Sequence, residues 1–307
     1  MKQMIHSLGI GVLAAAAIVV GAPSASAQVS LVGNWVNISH EDALDRGGGP
    51  WMADWAGYPL SEAGKLRAQS WNAAILTVPE HQCKPHTSTY GYRGIGGPRV
   101  DRVIDPETFA VIGLSMHIRW MEQRRTIWLD GRPHPPEFAA HTWQGFSTGR
   151  WQGDTLVVDT THLKTGWARR NGVILTDDAT MREYFMRRGD LMTHIYVITD
   201  PHYFTEPLIS TQHFRLIAAD DIAPYPCQAV EEVDRPRDEV PHYVPGQNPY
   251  LREHALRFHL PLEATLGGAE TALPEFIRKF DTSKTMLPPL NTRDAAAAAT
   301  AATRTGP

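Results

Sequence analysis

The chain has 307 residues, a formal net charge of −4, 42% hydrophobic and 20% charged residues, and two cysteines. So large an apolar share with so little net charge excludes a disordered chain, and the length is ample for a sizeable core. Two cysteines exclude a disulfide-stapled miniprotein or a Cys-rich zinc module, and a mildly acidic balance without a long Lys/Arg run gives no electrostatic case for nucleic acid.

Lys2 precedes an apolar run over 8–20, and Ala25-Ser26-Ala27 supplies the small residues of a cleavage site. Residues 1–27 are therefore expected to be a secretory signal peptide, which leaves Gln28 first in the mature chain. The run is short for a membrane span, and an uncleaved anchor is the alternative. The expected destination is the periplasm or the outside, where thiols oxidise. Cys83 and Cys227 are expected to pair there, closing a loop of about 145 residues worth at most roughly 5 kcal/mol by chain entropy. Two buried thiols are the alternative.

The mature chain reads as antiparallel strands joined by tight turns. Residues 31–38 form a first strand carrying Gly33-Asn34-Trp35, which has the form of the lipocalin G-x-W element. Residues 40–98 form a long excursion with a short helix starting at Ser61, whose hydroxyl can cap free backbone N–H groups. A long insertion after a first strand suits a lid. Strands follow over 99–104 and 109–116 around Asp105-Pro106-Glu107-Thr108, and over 124–129 up to Asp130-Gly131. Further strands over 142–151 and 155–160 flank Gln152-Gly153-Asp154, and 180–187 and 191–199 flank Arg188-Gly189-Asp190. Residues 206–217 form the last. About nine strands without a long helix predict an all-β, mainly antiparallel, lipocalin-like or meander barrel, since closure removes exposed edges. Residues 220–280 are Pro-rich and read as an irregular wrap. The predicted single domain spans 28–290, and 291–307 read as a disordered tail.

No G-x-S-x-G elbow, P-loop or H-E-x-x-H is present, and Gly94-Ile95-Gly96-Gly97 is followed by Pro98 and not a helix, which disfavours an α/β-hydrolase, a kinase, a Rossmann dehydrogenase and a zincin. The chemistry is concentrated between Asp130 and His162. His134, Glu137 and His141 are spaced three and four residues apart. With Pro135 and Pro136 starting a helical turn, Glu137 and His141 would share a face. Asp159 and His162 lie at the end of a neighbouring strand. Such a set can hold a divalent metal such as zinc, with His134, His141, His162 and Asp159 as ligands, or serve as acid and base without one. In the second case His141 is the base, Glu137 the acid, His134 a partner and Arg132 the anion stabiliser. A purely structural cluster is the third reading. Arg169 and Arg170 can receive a substrate anion, and Trp128 and Trp143 can line an aromatic pocket.

The block Asp130-Gly131-Arg132-Pro133-His134-Pro135, His141-Thr142-Trp143 and Gly145-Phe146-Ser147-Thr148-Gly149-Arg150-Trp151-Gln152-Gly153-Asp154-Thr155-Leu156 resembles a large set of exported bacterial proteins of unknown function. The resemblance implies export and a β-rich fold and supplies no reaction. The expected function is an exported enzyme acting on a small apolar or aromatic molecule by hydrolysis, elimination or isomerisation at the barrel mouth. The alternatives are a lipocalin-like carrier of an apolar ligand and a structural or interaction protein of the envelope.

Overall fold

The computed structural model describes residues 29–38, 51–72, 83–92, 97–119, 121, 123–218, 236–238 and 242–280. The expected signal peptide, the expected tail and Cys227 lie outside the described residues. The chain divides into a short unit, Met1–Ser30, and a main unit, Leu31–Pro307, which holds the fold.

Eleven strands run in chain order among the described residues. They are β1 (Gly33–Asn37), β2 (Pro98–Ile104), β3 (Val111–Ile118), β4 (Gln123–Trp128), β5 (Phe146–Gln152), β6 (Thr155–Thr161), β7 (Gly166–Arg169), β8 (Val173–Leu175), β9 (Thr180–Arg188), β10 (Leu191–Thr199) and β11 (Leu208–Ile217). Nine of them close into a barrel in the order β1-β11-β10-β9-β6-β5-β4-β3-β2, while β7 and β8 form a separate hairpin. These nine correspond to the nine expected strands, and the barrel has the expected lipocalin-like form. The turn residues act as their chemistry dictates. Asp105 Oδ1 accepts from the backbone N–H groups of Glu107 and Thr108 at 3.0 and 2.8 Å, and Gly153 and Gly189 take φ of +60° and +58° at the tips of β5–β6 and β9–β10.

One pairing departs from a meander. β4 and β5 run parallel, with Ile127 opposite Ser147 and Trp128 opposite Thr148. Residues 129–145 therefore carry the chain back along the outside of the wall before β5 begins. A hairpin cannot make a parallel pair, so this return is required by the topology.

Side-chain alternation fills the barrel axis. Trp35, Met116, Ile127, Leu156, Phe185 and Phe214 belong to one buried cluster. Trp35 donates its indole N–H to the Leu31 carbonyl at 2.9 Å, and the Arg187 guanidinium lies 5.3 Å from its ring. A second cluster joins Met181, Tyr196 and Ile198 to Trp55, Leu60, Trp71 and Phe204. The excursion thus covers one barrel end. Its helix α1 (Glu62–Gln69) is capped as expected, Ser61 Oγ accepting from the Gly64 N–H at 3.1 Å. The late segment 242–280 binds this excursion. Asn248 Nδ2 donates to the Gln69 and Trp71 carbonyls, and the Trp55 N–H donates to the Thr265 carbonyl.

Between the two clusters lies a polar layer. On β9, Glu183 stands between Met181 and Phe185; on β10, His194 stands between Met192 and Tyr196. Arg125 on β4 reaches Glu183 with both terminal nitrogens and also donates to Ser147, Thr160 and Tyr92. Arg125, Glu183 and His194 are each at most 2% exposed.

Candidate functional site

Strand parity decides where the expected site sits. Ser147 and Thr160 point inward to Arg125, so their neighbours Thr148, Asp159 and Thr161 point outward. The His134–His162 cluster therefore lies on the outside of the barrel wall, not at its mouth. Nor does a helical turn form at Pro135-Pro136. The Ala139 N–H closes a single turn on the Pro136 carbonyl at 2.8 Å, and exposed Glu137 makes no hydrogen bond or ion pair among the described residues.

His134, His162 and their neighbours form one chain of hydrogen bonds whose direction is fixed by its end. His162 Nε2 lies 3.0 Å from the Pro136 carbonyl, which can only accept, so that nitrogen carries the proton. Nδ1 of neutral His162 then accepts from Thr161 Oγ1 at 2.7 Å. The Thr161 oxygen in turn accepts from His134 Nδ1 at 2.7 Å, and His134 Nε2 accepts from the Thr148 hydroxyl at 2.8 Å. Burial, opposed by Asp159 and assisted by His162, lowers the His134 pKa and favours this neutral form. His162 adopts φ +56°, a left-handed turn that histidine tolerates better than most residues, and so reaches Pro136. The chain of bonds pins the 129–145 return to β5 and β6 and leaves both rings saturated.

The remaining members of the expected set are also committed. Asp159 bridges Arg150 and Arg182 at 2.9 and 2.6 Å on the outer face. Arg132 pairs with Asp130 and stacks over Trp128 at 3.6 Å, so neither Arg132 nor Trp128 faces a pocket as expected. Arg169 is paired with Asp54 at 2.6 Å and ties the β7–β8 hairpin to the excursion instead of awaiting a substrate. Among the described residues, no group of three or more His, Cys, Asp or Glu is arranged to hold a metal ion, so His134, His141, His162 and Asp159 are not gathered as a ligand shell. The His141 and His162 rings do approach, with centroids 5.2 Å apart. His141 Nδ1 donates to the Leu163 carbonyl at 2.8 Å, which leaves Nε2 with its lone pair and no hydrogen-bond partner among the described residues.

Trp143 is the expected residue that does line a cavity. A cleft of about 200 Å³ opens where the excursion meets the β7–β8 hairpin, walled by Trp71, Trp143, Trp167 and Ile174 with Arg67 and Lys84. Gly166 packs so closely on Thr87 that a Cβ there would collide with its side chain, which fixes the hairpin against the excursion. Trp71 and Trp167 meet edge to face at 4.5 Å. Lys84 and Lys164 both lie over the Trp143 ring, at 5.5 and 5.0 Å from its centroid. The Lys84 pKa is lowered, first by burial and then by the Lys164 charge. Among the described residues no carboxylate lines the cleft. This arrangement can receive a flat apolar body against indole faces, close to positive charge.

Two features escape the sequence reading. The cleft joins residues from 67 to 242 and leaves no local spacing to find. The Arg125–Glu183–His194 layer does leave a signal, because Glu183 and His194 occupy inward positions on strands whose other inward residues are mostly apolar, and Arg125 is inward on β4 between Gln123 and Ile127. The chain matches no protein-family model, no curated protein and no solved structure.

Proposed function

We propose that this protein is an exported binding protein for a small aromatic ligand, held in the Trp71–Trp143–Trp167 cleft and not in the barrel lumen. The observation that carries this reading is the cleft itself: three indoles around about 200 Å³ of space, beside a barrel axis already filled by side chains. An apolar cavity of about 150 Å³ suffices for benzene, so this one has room for one substituted ring. The signal-like pattern of residues 1–27 supports export, and an oxidising destination supports the Cys83–Cys227 pair. The test is solvent extraction and mass spectrometry of the purified protein, with Trp143→Leu beside it. A co-purifying aromatic molecule lost in Trp143→Leu and retained in His134→Ala supports the reading. No bound molecule, and no change in tryptophan fluorescence with single-ring aromatic probes, would favour a structural or interaction role.

A catalytic reading survives at one atom. Within the described cluster, His141 Nε2 is the ring nitrogen left with a free lone pair, oriented by the Nδ1 donation to Leu163, and this is the arrangement of a general base. If the bound molecule is turned over, His141→Ala abolishes turnover while His134→Ala leaves it measurable.

A further inference from the structure

We propose that the ligand of the tryptophan cleft is an aryl carboxylate, its ring against the indoles and its carboxylate drawn to Lys84 and Arg67 on the cleft wall. The inference rests on the binding function proposed above and adds the ligand's charge.

Three observations carry it. First, the charge is one-sided. Arg67 and Lys84 line the cleft, Lys164 adds a third cation at the Trp143 ring, and among the described residues no Asp or Glu lines the space. None of the three makes an ion pair among the described residues, whereas Arg150, Arg169 and Arg182 each hold a carboxylate. Second, the two lysines crowd one ring. Like charges 5.5 and 5.0 Å from the same centroid repel, and Lys84 also loses water through burial. The π face compensates only in part, and an anion between them and Arg67 would relieve the rest. Third, the remaining wall selects for shape. Three indole faces and Ile174 suit a flat apolar ring and are left uncovered by a small inorganic anion, while the Thr165 hydroxyl can donate a hydrogen bond to a carboxylate. The volume limits the body to about one ring with a short side arm. A neutral arene would leave the cations uncompensated, and a phosphate ion would leave the indoles uncovered.

The experiment is calorimetric titration of the full protein with phenylacetate, with its neutral isostere phenylacetamide, and with inorganic phosphate, at low salt and at about 0.5 M salt. The expected result is that phenylacetate binds at least about tenfold more tightly than phenylacetamide, that Lys84→Met and Arg67→Met each remove most of this difference, and that phosphate does not compete. Added salt should narrow the difference. Unchanged melting curves for the two variants show that the fold is intact; Lys84→Arg, which keeps the charge, should retain the preference if Lys84→Met unfolds. Equal binding of acid and amide overturns the charge assignment and leaves the aromatic cleft standing. Competition by inorganic phosphate overturns the aromatic part. Binding of neither aromatic probe overturns the cleft reading together with this one.

Discussion

Replacing Glu183 by Gln tests the polar layer of the barrel with little change in shape. The amide keeps the volume and one acceptor of the carboxylate, so what is lost is charge. Arg125 would then stay ionised, 2% exposed, beside the hydroxyls of Ser147, Thr160 and Tyr92 and without the carboxylate. An uncompensated charge in a dry interior costs about 3–5 kcal/mol, which for a domain of this size lowers the melting temperature by roughly 6–20 °C. Arg125→Met gives a different signature. Burial and the Arg125 charge now hold the His194 pKa down against Glu183, and Nδ1 of His194 is buried without a hydrogen-bond partner among the described residues. With Arg125 gone, His194 can take a proton and become the counter-ion of Glu183, 2.9 Å away. The Arg125→Met deficit should therefore shrink between about pH 8 and about pH 6, while that of Glu183→Gln should not. Replacing both, as Arg125→Met with Glu183→Leu, should recover most of the loss, since well-packed apolar residues substitute for a buried pair at little cost. Urea unfolding followed by tryptophan fluorescence measures all three. A Glu183→Gln loss below about 1 kcal/mol would mean that water reaches the layer, and the assignment of Arg125 and Glu183 as a dry, mutually dependent pair would fail.

Four further outcomes follow from the same geometry. Burial, helped by the Arg170 charge, lowers the His86 pKa to about 3, against roughly 6.5 unfolded. The unfolded chain then binds a proton that the folded one refuses, so about 2 kcal/mol should be lost from His86 alone between about pH 8 and about pH 5, and His86→Asn should flatten that slope in pH-dependent unfolding. Glu183 works in a lower window: burial opposes its ionisation, but Arg125 and His194 bring its pKa to about 2, so its contribution is present above about pH 4.3 and is lost as pH falls toward 2. His134→Ala removes two hydrogen bonds, at a cost of about 1–2 kcal/mol, and should speed amide exchange in 129–145 without altering ligand affinity. Gly172→Ala meets the Ala68 carbonyl at 2.6 Å from a φ of +107°, so it should destabilise by more than about 1 kcal/mol and detach the hairpin from α1, read as a drop in melting temperature.

The strands are legible because turn chemistry punctuates them. Asp105, Gly153 and Gly189 each sit where their side chain, or lack of one, is needed, and alternation between those points gives the inward phase. The helix at Ser61 is legible for the same reason. The parallel β4–β5 pair is not, because Pro133, Pro135 and Pro136 mark an irregular segment without saying which way the next strand runs. That one reversal explains the misplaced site. Asp159 reads in the sequence as a rim residue of a mouth, whereas its parity beside inward Thr160 puts it on the outer wall. Of the expected pocket residues Trp143 reaches the described cleft, and its partners Trp71 and Trp167 come from an excursion and a hairpin whose meeting depends on long-range packing. Arg169 and Arg170 read as a turn open to substrate; their turn is the tip of β7–β8, and Arg169 is committed to Asp54.

The closure of the barrel sets the order in which the chain can mature. β1 pairs with β11, Asn34 lying opposite Ile217 and Asn37 opposite Phe214. The first strand thus waits for the last, and the cover over the barrel end waits longer still, because Asn248 and Thr265 complete it. Contacts of such sequence separation slow folding, and until they form the edges of β1 and β11 are unpaired templates for another chain. A ribosome-bound intermediate lacking residues from 208 onward would carry open edges on β1 and β10 for the whole time of its synthesis. Holding the chain extended until its C-terminal part has emerged is then a requirement of this topology, and truncation before β11 should yield aggregates and not a smaller barrel.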